Sequence, residues 1–307
     1  MDNQIKFKQV RDFGEVFSAT FAFLRQNFKP LLISLITYIG PLILVLSIVY
    51  GIVLTKFIDI GSFITGAMIP QDFYTWGMEI FVYFLAVFIL GITMFTLMVG
   101  VIYAYIILYI EIGFRNFFPS DVFNKALTFF WPILGANILL GIMVLFGTLF
   151  CIIPGIYLGV SLMFLIFIVI YERNGAGEGI NRTFSLTHKK WWWNFLLMLV
   201  LLVINAIVTY VLQAIFTSIG FGILLSNADS DMQVITQITL LVLKYFVYFI
   251  TYPFLLVAVV FQYFSIVEES KPKQVIEKIV QVAPVNTTKE KPELTIDDRI
   301  NNLGDNK

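Results

Sequence analysis

Polar and apolar positions follow a repeating order along this chain. Residues 1–11 are polar. From there Phe13, Phe17, Phe21, Leu24 and Phe28 recur at helical spacing, with Glu15, Ser18, Arg25 and Lys29 on another face. That spacing predicts an amphipathic helix of the kind that lies in a membrane interface. Pro30 suits the first turn of a new helix, where its missing N–H costs little. An apolar run follows at about 31–55, and others at about 79–110, 131–152, 156–171, 195–219 and 238–267. At ~1.5 Å per residue such runs match a hydrocarbon core of ~30 Å. The pattern therefore predicts an all-α integral membrane protein with six transmembrane helices. Pro154-Gly155 is expected to make the tight turn between the third and fourth. Residues 270–307, rich in Lys, Glu, Pro, Asn and Thr, are expected to form a disordered cytoplasmic tail.

The amphipathic stretch occurs three times. Residues 14–32, GEVFSATFAFLRQNFKPLL, are echoed by 177–195, GEGINRTFSLTHKKWWWNF, at a constant offset. Gly14 matches Gly177, Glu15 matches Glu178, Thr20 matches Thr183, Phe21 matches Phe184 and Phe28 matches Trp191. A shorter copy, DVFNKALTFFWP, lies at 121–132. Each copy precedes an apolar run, and each even-numbered run ends on an acid: Glu111, Glu172 and Glu268. The unit reads as interfacial helix, span, span, glutamate, in pseudo-repeats of about 12–111, 120–172 and 177–268.

Composition sharpens this picture. The 307 residues are 59% hydrophobic and 13% charged, with mean hydropathy +0.88. Soluble domains are usually about 25% charged. Net charge is zero, so no basic balance points to nucleic acid. The first long apolar run begins only at Leu31, so no cleaved signal is read and the first span would direct insertion. Eighteen of the twenty Lys and Arg residues fall on the side that holds both termini and the loops after the second and fourth spans. The positive-inside rule places that side in the cytoplasm. For a bacterial chain, this means the inner (cytoplasmic) membrane.

Few residues suggest chemistry. An acid at a helix C-terminus opposes the macrodipole, so Glu111, Glu172 and Glu268 are expected to clamp basic residues such as Arg115 and Arg182. Trp131 and Trp191, Trp192 and Trp193, with Phe28, are expected at headgroup depth, beside Lys189 and Lys190 as a basic face for anionic headgroups. Asn137, Asn205 and Gln213 lie within spans and read as hydrogen-bonding glue between helices. Lys244 is expected to snorkel to the outer face. Gly155 and Gly159 form a small-residue packing motif. One histidine, His188, and one cysteine, Cys151, cannot build a metal or haem site of usual type. No phosphate loop or nucleophile elbow is present, and no cofactor is expected.

The stretches FGEVFSATFAFLRQNFKPLL, IIPGIYLGVSLMFLIFIVIYE and GEGINRTFSLTHKKWWWNFLL together resemble the membrane domain of the glycerophosphoryl diester phosphodiesterase group, over roughly 12–267. The resemblance implies a stand-alone membrane domain without the soluble catalytic barrel, whose acidic and histidine residues have no match here. It carries over no catalytic residues. The expected function is scaffolding, lipid interaction or regulation of a membrane partner, without catalysis. The alternative is a transporter or permease-like protein for a small or lipidic solute. Membrane lipids and another membrane protein are the expected partners.

Overall fold

The computed structural model describes residues 5–64, 73–113, 116–224 and 230–282. Among these the chain forms α1 (Phe13–Ile64), α2 (Phe73–Ile112), α3 (Pro119–Phe150), α4 (Ile152–Ser161), α5 (Leu165–Tyr171), α6 (Ala176–Thr187), α7 (Trp191–Leu224) and α8 (Ser230–Val282), with a 3₁₀ turn at His188–Lys190. No described residue is in a strand. Six helical stretches are long and apolar enough to cross a membrane, α4 with α5 and α6 with α7 each counting as one. The chain divides into two units, 1–268 and 269–307. The packing below is that of the first; in the second, residues 269–282 are helical. Residues 283–307, most of the tail expected to be disordered, lie outside the described ones.

Local chemistry sets where the copies begin. Asp12 and Glu15 cap α1 reciprocally: the Glu15 N–H donates to Asp12 Oδ1 at 2.8 Å and the Asp12 N–H to Glu15 Oε2 at 3.0 Å. In α3 the acid at the same third position, Asp121, accepts from the Phe118 N–H at 2.8 Å. In α6 Glu178 holds that position.

Two expectations about helix ends are corrected. No new helix starts at Pro30: α1 runs through Pro30 and Pro41, and α3 through Pro132. A proline inside a helix costs roughly 3 kcal/mol. Here Val16 and Phe23 on one side of Pro30 and Leu31 and Leu35 on the other are all buried, and that packing keeps the helix continuous through it. Nor does Pro154-Gly155 form the hairpin turn. The turn is the single extended residue Cys151 (φ −170°, ψ 151°), and Pro154 falls in the first turn of α4, where proline is tolerated. Gly155 serves packing: a Cβ there would strike the Thr148 side chain and come within 3.1 Å of Thr148 Cα. Gly159 has nothing within 4 Å, so only half of the small-residue motif is used.

Each copy packs antiparallel to the end of a span pair. In α3, Ala126 and Ile133 face Gly100 of α2. In α6, Gly179 faces Val169 and Leu165 of α5, so closely that a Cβ would lie 2.9 Å from Val169 Cγ2. The copy in α1 meets α8, with Phe21 and Phe254 ring centroids 5.1 Å apart and Phe23 and Phe261 6.4 Å apart. The first copy therefore closes on the last helix. Residues 5–11 strap this seam. Phe7 stacks on Phe261 at 4.3 Å, Ser265 Oγ bonds both the Arg11 N–H and carbonyl at 2.9 Å, and the Ile5 N–H donates to the Tyr109 hydroxyl at 2.9 Å. The Arg11 guanidinium lies over the Phe261 ring. Burial lowers its pKa from the ordinary value and Glu15 opposes this.

The residues of α1 that pack inside the protein are not the ones of its periodic apolar face. Val16, Thr20, Phe23 and Asn27 are fully buried, while Phe21 is exposed and Phe13, Phe17, Leu24 and Phe28 are half-buried. The equivalent pairs Val122 with Ala126, and Gly179 with Thr183, are buried too. Thr20 and Thr183 each donate to the carbonyl four residues earlier at 2.7 Å. The centre is aromatic: Phe167 packs against Tyr103 at 5.4 Å and Tyr263 at 5.1 Å.

Candidate functional site

Two of the three acids are seen with basic partners. Glu172 at the end of α5 is a hub. Arg182 Nε donates to both of its carboxylate oxygens at 3.2 Å, Asn174 Nδ2 at 3.1 Å and the Tyr263 hydroxyl at 2.6 Å. The hub ties α5, α6 and α8 together, and its carboxylate is mostly shielded. Glu111 pairs with Lys125 of α3. Arg115, the expected partner, lies outside the described residues. Lys125 and Arg182 hold the same place, four residues after the acids Asp121 and Glu178, and Ala19 stands there in α1. Glu268 is half-buried.

Trp191, Trp192 and Trp193 lie along a groove of about 1060 Å³ at the start of α7. One wall is Ile153, Ile156 and Tyr157 of α4; the other is Trp191–Trp193 and Phe195 of α7; His188, Lys189 and Lys190 form its polar end. The elbow between α6 and α7 is a single 3₁₀ turn, His188–Lys190, through which the helical backbone continues: α6 ends at Thr187 and α7 starts at Trp191. The helix breaks after Ser161, and the Thr187 hydroxyl, 2.7 Å from the Thr183 carbonyl of its own helix, also reaches the Ser161 carbonyl at 3.1 Å. Trp191 stacks on Tyr157 at 5.5 Å and on Phe195 at 5.4 Å, and its Nε1 approaches the Tyr157 carbonyl at 3.5 Å. Trp192 and Trp193 are exposed, His188 and Lys189 are exposed and Lys190 is half-buried. No carboxylate is among the groove's described lining residues. The volume sits at the top of the range of about 300–1,000 Å³ for small-molecule sites. Chemically the groove offers an apolar floor, indole edges and cations at one end, the combination that suits an amphiphile with a negative head.

The remaining expected residues are scattered. Trp131 is exposed on α3 and Phe28 half-buried on α1; neither lines the groove. The amide nitrogen of Asn137 has no hydrogen-bond partner among the described residues, so the interhelical bond expected of it is not made. Asn205 is half-buried on α7. Lys244 is exposed beside a cavity of about 210 Å³ with Tyr50, Gln213 and Thr217. Sequence reasoning missed the α4 wall, Lys125 and Tyr263. The motif Pro154–Tyr157 was visible, but nothing in it says which helix it faces. Comparison with protein-family models, with curated proteins and with solved structures gives no match.

Proposed function

We propose that the protein is a non-catalytic, multi-pass protein of the bacterial inner membrane, with both termini in the cytoplasm, that binds membrane lipid and scaffolds a membrane partner. The observation that carries this reading is the groove, with its indole and isoleucine walls and its cluster of His188, Lys189 and Lys190. A lysine near an anionic membrane surface gains about 1 kcal/mol. Two lysines then favour an anionic headgroup roughly thirty-fold over a neutral one. The charge asymmetry of the loops supports the orientation. An acid at the third helical position and a buried pair in all three copies, with capping bonds in the first and the short copy and threonine bonds in the first and the one at α6, support an internal three-fold repeat. The stretches that resemble the glycerophosphoryl diester phosphodiesterase membrane domain include the groove residues.

Native mass spectrometry of the protein released in its own lipids tests this. One lipid retained in fixed stoichiometry, or a co-purifying membrane protein, is expected. A bare monomer with only generic lipid counts against it.

A transporter is the second reading, and the observation favouring it is the cavity lined by Tyr50, Gln213, Thr217 and Lys244. Solute uptake into liposomes that Lys244→Met abolishes would turn the assignment that way.

A further inference from the structure

The third and fourth apolar runs meet at a tip with unusual chemistry. Leu149, Phe150, Ile152 and Ile153 are each 68–86% exposed, and Cys151 between them is exposed as well. No Asp, Glu, Lys or Arg occurs between Lys125 and Glu172. The neighbouring Thr148 hydroxyl is satisfied within its own helix by the Val144 carbonyl at 2.7 Å. The other two turnarounds differ in sequence: Gln71 and Asp72 follow α1, and Asn227 and Asp229 follow α7. A tip that had crossed the bilayer would present this apolar knob to water on the far side.

The position of α7 tells where the tip is. Ile153 and Ile156 line the same groove as Lys189, Lys190 and Trp191. Tyr157 is stacked on Trp191. From Trp191, α7 runs on for 34 residues, about 51 Å, which is more than a hydrocarbon core of ~30 Å requires. If the cations and tryptophans of 188–193 mark one face of the membrane, α7 alone reaches the other, and Trp131, about 30 Å from the tip along α3, lies outside the membrane rather than at headgroup depth. The tip lies beside the elbow, on the near side. From Tyr157 to Ile152 is five residues, so the tip passes the Trp191 level by only about 8 Å.

We infer that α3, α4 and α5 form a re-entrant hairpin whose tip, Leu149–Ile153, is a wedge inserted among the acyl chains of the leaflet that adjoins the elbow. Its partner is lipid of that leaflet. The hairpin is long and apolar enough to cross the bilayer but turns back, and α1, α2, α7 and α8 cross. Both termini stay on one side in either arrangement; the placement of the tip rests on the reading of 188–193 as a membrane face, and it holds whichever lipid the groove takes.

Cys151, the only cysteine, is a built-in probe at the tip. Wild-type protein in sealed vesicles is treated with a membrane-impermeant maleimide from each face in turn. Asn116→Cys and Asn227→Cys, each in a Cys151→Ser background, report the two faces. Cys151 is expected to resist labelling from both faces and to react fully in SDS. A fluorophore placed on Cys151 and reconstituted is expected to be quenched most by lipids brominated near the headgroup end of the chain. Labelling from the Asn227 face would show a spanning hairpin and overturn the inference. Labelling from the Asn116 face would place the tip in water and overturn it as well. Loss of bromolipid quenching with spin–spin broadening between nitroxides on Cys151 would mean that a second copy covers the tip, and that too overturns it.

Discussion

The Glu172 hub allows a quantitative test of what holds the copies to the bundle. Glu172→Gln keeps the shape of the side chain but removes its charge and one acceptor. The carboxylate takes hydrogen bonds from Arg182, Asn174 and Tyr263. An amide oxygen can keep the bond from Tyr263, but its NH₂ group then faces donors. Bonds to charged groups contribute roughly 1.5–3 kcal/mol each. The Arg182 side chain is 32% exposed and regains water, which reduces its share. The expected net cost is about 2–3 kcal/mol. Glu111→Gln is the internal control. Its carboxylate is 50% exposed beside Lys125, and such a pair is worth about 0–1 kcal/mol. Denaturation in mixed micelles, followed by tryptophan fluorescence, gives both values. Crossing Glu172→Gln with Tyr263→Phe and with Arg182→Met is expected to show coupling of about 1–2 kcal/mol. Equal effects at Glu111 and Glu172, or additive double variants, would refute the claim that Glu172 joins α5, α6 and α8.

Further outcomes follow from packing. Phe7→Ala empties the space between Phe23, Tyr109, Phe261 and Phe264 and is expected to cost about 3–4 kcal/mol, seen as a lower unfolding midpoint and faster proteolysis at the N-terminus. Gly155→Ala is expected to destabilise by about 1–3 kcal/mol through overpacking on Thr148, whereas Gly159→Ala is expected to be within about 0.5 kcal/mol of wild type. A thermal-shift comparison of the two decides it. Gly179→Ala is expected to behave like Gly155→Ala, since its Cβ would press on Val169 and Leu165; a neutral result would mean that α6 is free to move away from α5.

The sequence revealed the helices and the acids better than the faces. Spans are legible because a run of apolar residues must be long to cross lipid, and because Glu111 and Glu172 stand at the ends of α2 and α5; Glu268, expected at a helix end, lies inside α8. Which side of a helix is buried was far less legible. In a bilayer the outward face is as apolar as the inward one, so Phe21 on the surface and Phe23 in the core look alike. The buried stripe of α1 is marked instead by its small and polar members, Val16, Thr20 and Asn27, the last bonded to the Tyr105 hydroxyl at 3.0 Å. Continuity through Pro30 was hidden because proline signals a boundary locally, whereas packing on both sides decides. The clamp at Glu172 was half-legible: Arg182 is ten residues away, but Tyr263, ninety-one residues away, carries no local sign. The groove needed the fold, since its α4 and α7 walls meet only because α6 folds back along α5.

The central claim is that the groove takes an anionic lipid at His188, Lys189 and Lys190. Its most direct test is native mass spectrometry of the protein taken from bilayers holding equal amounts of phosphatidylglycerol and phosphatidylcholine, compared with a variant carrying His188→Gln, Lys189→Gln and Lys190→Gln together. The account predicts that the wild type retains phosphatidylglycerol in fixed stoichiometry with a preference of roughly thirty-fold, and that the variant, unfolding at the same midpoint, loses the preference. Equal retention of the two lipids by the wild type, or a preference unchanged in the variant, would contradict it.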